Sequence, residues 1–172
     1  KVARLDPIEN RKEQRQQISG EQNGKAARLA DELQVEKFFS KKIGSSPIIL
    51  IDDFETYLQF KSDINQAVTN GASAIFIELP AGKYHIAETE ISVKECGMGA
   101  RHFVSRKTGH PLVKGFLPND FKFWYDVKCD YPSPLLSTTF EAQGWMPILT
   151  SGDGDWQGNW RPTLAAAEKK DG

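Results

Sequence analysis

The sequence predicts an α/β fold with a mostly parallel sheet, preceded by a helical extension, and three consecutive segments carry that prediction. Ile48, Ile49, Leu50 and Ile51 form the short, β-branched apolar run that a strand buried on both faces requires. Phe54, Tyr57, Leu58, Ile64, Ala67 and Val68 then recur on one helical face, opened by the capping pair Asp52 and Glu55 and stopped at Asn70-Gly71. Ala74 to Leu79 supplies a second apolar run. Strand, amphipathic helix and strand within about thirty residues make a βαβ unit. Its crossover sets the two strands parallel.

Ahead of this unit the composition changes. Pro7 to Gln17 is dense in Arg, Lys, Glu, Gln and Asn and cannot build a core alone. Ser19 and Gln22 have capping-box spacing, and Ala26, Leu29, Ala30 and Leu33 recur at helical intervals, which predicts a helix running to about Phe39. Gly44-Ser45-Ser46-Pro47 punctuates the change of pattern. The expected organisation is therefore a helical extension or linker over 1–46 and an α/β accessory domain over 47–172.

After Pro80-Ala81-Gly82, the residues Tyr84 and Ile86, then Ile91 and Val93, alternate with polar ones around Glu88-Thr89 and predict a hairpin. Gly97 to Pro134 is rich in Gly, Pro and aromatics. Phe116, Phe121, Phe123, Trp124 and Tyr125 lie close together in it, so an irregular packed excursion with its rings turned inward is expected. Thr138 to Gln143 and Trp145 to Thr150 predict two strands joined at Gly144, followed by a polar loop from Ser151 to Asn159. Leu164 to Lys170 is open between helix and strand, and Asp171-Gly172 resembles a hairpin turn.

Composition narrows the function classes. At 172 residues, 39% hydrophobic and 26% charged, the chain fits one domain with an appended segment, and no apolar run approaches the roughly 20 residues of a membrane helix. With 22 basic against 23 acidic side chains there is no overall field for nucleic acid or an anionic membrane. A soluble protein without either partner is expected. Lys1 to Asp6 carry no secretory core that would name a compartment. Cys96 and Cys129 are too few for a disulfide scaffold and lack zinc-site spacing, so two unpaired thiols are expected, with one disulfide as the alternative.

Catalytic signatures are weak. A cysteine nucleophile needs small residues two places either side on a strand-to-helix elbow, but Lys94 and Met98 flank Cys96 at that spacing. His85, His102 and His110 lack metal-ligand spacing and an identifiable orienting partner. No Gly-x-x-x-x-Gly-Lys loop follows Ile51 or Leu79. Asp52 and Asp53 lie at the carboxyl end of a parallel strand, where α/β ligands bind, though capping explains Asp52 without one. The loop 151–160 combines Asp153 and Asp155 with Trp156 and Trp160. These are the candidate substrate-binding residues, as stacking rings and hydroxyl partners for a sugar; the spacing and distal Glu of a calcium hand are missing. No cofactor and no metal are expected.

Five segments carry a resemblance: 49–55 (ILIDDFE), 78–84 (ELPAGKY), 99–106 (GARHFVSR), 108–116 (TGHPLVKGF) and 119–126 (NDFKFWYD). They resemble a C-terminal region of bacterial family 2 glycoside hydrolases, the β-galactosidase-like group. The stretch His110-Pro111-Leu112-Val113 with Gly115-Phe116 is also similar to class I glutamine amidotransferase-like modules. The resemblance implies a flavodoxin-like or amidotransferase-like three-layer sandwich, retained for packing or assembly without the glutaminase nucleophile. It implies a bacterial protein, in cytoplasm or periplasm, whose partners are the rest of a glycosidase chain, a second copy of itself, or carbohydrate.

The catalytic carboxylates of such glycosidases stand on a (β/α)8 barrel of about 250 residues. No catalytic residue is carried onto this chain, and the ending at Gly172 implies that the parent continues. Three functions follow: a non-catalytic accessory module, a carbohydrate-binding module using Trp124, Trp145, Trp156 and Trp160, or a small α/β hydrolase or amidotransferase. The first predicts exposed apolar surface; the second predicts indoles exposed on one face.

Overall fold

The structure is a computed structural model that describes residues 16–19, 24–33, 37–39, 48–97, 101–154, 158 and 160–170. The chain divides into two compact units, Lys1–Leu79 and Pro80–Gly172.

In the first unit, strands β1 (Gln16–Ser19), β2 (Lys37–Phe39), β3 (Ile48–Ile51) and β4 (Ser73–Phe76) form a four-stranded sheet in the order β2-β1-β3-β4. Every pairing in it is parallel. Helix α1 (Lys25–Glu32) follows β1, and helix α2 (Phe54–Thr69) joins β3 to β4. Side chains alternate along a strand, so Leu50 and Ile51 face opposite ways. Ala26, Ala27 and Ala30 of α1 are buried against Leu50, with Ile48 and Ile77 beside them. Small alanines let the helix approach the sheet closely. On the opposite face Tyr57 of α2, itself 2% exposed, meets Phe76 edge-on with ring centroids 5.0 Å apart. Phe76 lies in register with Ile51, so α2 covers the Ile49/Ile51 side.

The second unit is built differently. Strands β5 (Gly82–Ile86), β6 (Thr89–Glu95), β9 (Thr138–Ala142), β10 (Met146–Gly154) and β11 (Trp160–Glu168) form a five-stranded sheet in the order β10-β11-β9-β6-β5. All its pairings are antiparallel. Ile86, Ile91 and Val93 are buried in it. A separate two-stranded ribbon joins β7 (Tyr125–Asp126) to β8 (Tyr131–Pro132). The excursion before the ribbon runs beside the outer edge of β10. Ser105 exchanges two backbone hydrogen bonds with Thr150, at 2.7 and 2.9 Å, and the Thr108 hydroxyl donates to Ile148 O at 2.9 Å. This pairing satisfies edge groups that would otherwise stand open.

The expected α/β sandwich is therefore overturned. Among the described residues eleven strands accompany two α-helices of defined extent, and the larger sheet is antiparallel. The reason is a change of period: helical spacing ends at Thr69, and from Gly82 to Val93 apolar residues alternate singly, which builds a hairpin rather than a crossover. The helical extension is overturned as well. β1 and β2 are strands hydrogen-bonded into the parallel sheet, and the helix expected up to Phe39 is confined to Lys25–Glu32.

The two strands expected on either side of Gly144 are β9 and β10, and β11 lies between them in the sheet. Leu164–Glu168 belongs to β11, while Asp171-Gly172 lies outside the described residues. Cys96, buried, and Cys129, exposed, are not joined in a disulfide. Among the described residues no helix is long and apolar enough to cross a membrane.

Candidate functional site

Two places could hold a ligand: the carboxyl edge of the parallel sheet and the aromatic excursion of the antiparallel unit. At the first, β2 and β3 lie on opposite sides of β1, which makes a topological switch point where α/β sheets bind anions. The chain's own carboxylate fills it. Gly24 at the α1 N-cap has no side chain to offer, and Asp52 Oδ2 accepts from Ala26 N–H at 3.0 Å instead. Lys25 is paired with Glu78. Asp53 turns the other way and caps α2, accepting from Thr56 N–H at 2.8 Å, Glu55 N–H at 3.3 Å and the Thr56 hydroxyl. The Thr56 hydroxyl, then the backbone amides, hold the Asp53 carboxyl below its usual range against the opposing effect of burial.

The expected cap was Asp52 with Glu55; the structure gives that role to Asp53 and sends Asp52 to a different helix. The order β2-β1-β3 was not foreseen. Its signal in the sequence was the lone apolar Ile18 before Ser19-Gly20, too short to separate from a helix start.

The loop candidates fall at the open end of the β10–β11 hairpin. Asp153 pairs with Arg161 and Gly154 with Trp160 in backbone register, whereas Asp155 and Trp156 lie outside the described residues. Trp145 is half-buried, and its indole Nε1 is sequestered with no hydrogen-bond partner among the described residues. Cys96 directly follows β6, and its amide donates to Ser137 O at 3.0 Å. His85 lies 3.5 Å from Glu88 on an exposed turn. His110 is buried with both ring nitrogens engaged: Nδ1 accepts from Leu112 N–H at 3.2 Å, and Nε2 lies 3.0 Å from Glu168 Oε1. That oxygen sits off the ring N–H direction, so the contact is close but is not a linear hydrogen bond. His110, and after it Lys170, holds the Glu168 carboxyl below its usual range against the opposing effect of burial.

No family model, curated protein or solved structure matches the chain.

The excursion is the more distinctive place. Two 3-10 turns, Pro111–Val113 and Pro118–Phe121, are each opened by a proline whose missing N–H costs nothing there. Asp120 Oδ2 accepts from Leu117 N–H at 2.6 Å, and the Trp124 indole donates to Asp120 O at 2.8 Å. Tyr125 donates its hydroxyl to Asp130, which holds the phenol above its ordinary value. Asp126 Oδ1 accepts from Lys128 N–H at 2.8 Å and Cys129 N–H at 3.2 Å, and in that order they lower its carboxyl.

Every acidic side chain of the segment is thus spent on holding its backbone or a ring. The apolar side chains stay outside. Leu112, Leu117, Phe123, Trp124, Tyr125, Val127 and Tyr131 are all more than half exposed, against the expectation that the rings of Phe123, Trp124 and Tyr125 pack inward. Phe123 even adopts φ +46°, a left-handed conformation costly for a bulky residue, and its ring rests edge-on against Phe103 at 4.5 Å.

Proposed function

We propose that the chain is a non-catalytic accessory module of a family 2, β-galactosidase-like glycoside hydrolase, and that residues 112–131 form the face by which it packs or assembles. The observation that carries this reading is the exposure of large apolar side chains on that face. Exposed Leu, Phe, Trp, Tyr and Val in such density mark interaction surface in a folded protein. Hydrogen bonds to Asp120, Asp126 and Asp130 fix the rings and turns before any partner arrives, which lowers the entropy cost of association. The family is supported by the segments that resemble it, of which 119–126 lies in this face and 108–116 reaches into it.

The direct test places a photo-crosslinking residue at Val127, 83% exposed, in the full-length protein that carries the chain. The expected result is crosslinked peptides from a catalytic barrel or from a second copy. Crosslinking to solvent alone would overturn the reading. A calorimetric titration against galactosides, mannosides and plant oligosaccharides separates the carbohydrate-binding alternative: saturable binding with a Trp124 fluorescence shift would favour it over packing.

A further inference from the structure

We infer that His110 is a proton-operated clamp that fixes the start of the exposed aromatic face at neutral pH and loosens it in acid. The inference concerns the hold on the face and does not depend on what covers it.

Three anchors converge on this residue. Its backbone N–H donates to Thr108 Oγ1 at 3.3 Å, and that hydroxyl donates in turn to Ile148 O on β10. Its Nδ1 caps the 3-10 turn Pro111–Val113 by accepting from Leu112 N–H. Its Nε2 lies against Glu168 on β11. The side chain is 3% exposed, so water cannot readily substitute for any of these partners.

The Leu112 contact selects a single neutral tautomer: Nδ1 must present a lone pair to that amide, so the ring proton is on Nε2. A second proton can enter only at Nδ1. Once there, it removes the acceptor and sets two N–H groups against each other, while the imidazolium keeps its attraction to Glu168. Acid therefore leaves the ring in place on β11 and releases the turn that the ring was capping. Leu112, Val113 and Lys114 are the residues whose backbone order depends on that turn, and Leu112 is the first exposed member of the aromatic face.

The charges around the ring are unevenly placed. β11 contributes Glu168, and Lys170 lies 3.6 Å from the same carboxylate oxygen. Lys169 is turned aside to Ala87 O and Thr89 Oγ1. β10 carries no titratable side chain from Met146 to Gly152, and the histidine's own segment supplies Arg106, Lys107 and Lys114.

The test is nitrogen-15 NMR of the full chain between pH 8 and pH 5, the span in which imidazoles change charge. Long-range spectra report the His110 tautomer, and amide exchange reports Leu112 and its neighbours. At pH 8 the proton is expected on Nε2. Protection at Leu112, corrected for intrinsic exchange, is expected to fall at least tenfold as Nδ1 gains its proton. His110→Asn keeps an acceptor for the Leu112 amide and does not titrate, so its protection should stay level across the range. Glu168→Gln removes the charge that favours the imidazolium, so the loss should move to lower pH.

A proton on Nδ1 at pH 8, unchanged Leu112 protection at pH 5, or an equal fall in His110→Asn would overturn the clamp. The wild-type and Glu168→Gln readouts stand whether or not the asparagine variant folds.

Discussion

Asp52 and Asp53 are adjacent carboxylates that serve different helices because the alternation of β3 continues one step past its end. Leu50 and Asp52 point to the α1 side, Ile51 and Asp53 to the α2 side. Removing either acceptor leaves orphan helix amides, so Asp53→Ala and Asp52→Ala are each expected to lower stability by about 1 kcal/mol, and the Asn variants by less. Chemical denaturation of the four variants checks this. The Asp53 carboxyl is depressed in the folded state, so its contribution is present above the unfolded carboxylate pKa and disappears as pH falls through the lower folded value. The difference between wild type and Asp53→Ala should accordingly close in strong acid. The sequence indicated a carboxylate cap at this place, but a local pattern cannot show a carboxylate reaching a helix 26 residues away.

Among the elements, the β5–β6 hairpin is the clearest case of local order under strain. Its two-residue turn needs positive φ at both positions, a requirement ordinarily met by Asn-Gly, yet Ala87 and Glu88 stand there at φ +48° and +56°. Lys169 donates to Ala87 O at 2.5 Å and to Thr89 Oγ1 at 2.6 Å, pinning a turn that the local sequence does not favour. Replacing Ala87-Glu88 with Asn-Gly should raise stability by about 1 kcal/mol or more, since left-handed backbone costs an L-residue about that much. Lys169→Met should lower it by about 1 kcal/mol by removing the bonds to Ala87 O and Thr89 Oγ1, leaving the carbonyl only the Thr89 hydroxyl. In the Asn-Gly background the Lys169→Met loss should shrink, which thermal melts of the double variant would test. This hairpin was legible because Tyr84, Ile86, Ile91 and Val93 alternate strictly. The placement of β11 between β9 and β10 was not, since Ala165-Ala166-Ala167 suits a helix and only pairing with both neighbours makes it a strand.

At the scale of the whole molecule, the sequence carried the βαβ unit and missed the architecture. Buried runs such as Ile48–Ile51 announce themselves, while the order of strands depends on contacts between segments far apart in the chain. The aromatic excursion was misjudged for a related reason: ring density was read as core, although density alone does not say which side of a surface the rings occupy.

That distinction can be measured. Leu117, Val127 and Tyr131 are 63%, 83% and 64% exposed, so folding of the chain withdraws little of their surface from water. Replacing all three with serine should change the melting free energy by no more than about 0.5 kcal/mol per site. Ile64→Ala, in contrast, should cost about 2 kcal/mol or more, because that side chain is 1% exposed and leaves a cavity. The same triple variant should bind less of an apolar dye and associate less at high concentration. A large loss of stability in the triple variant would mean that these side chains are covered within the chain, and the docking face would have to be abandoned. Unchanged stability with reduced self-association or dye binding would instead locate their role in an intermolecular contact.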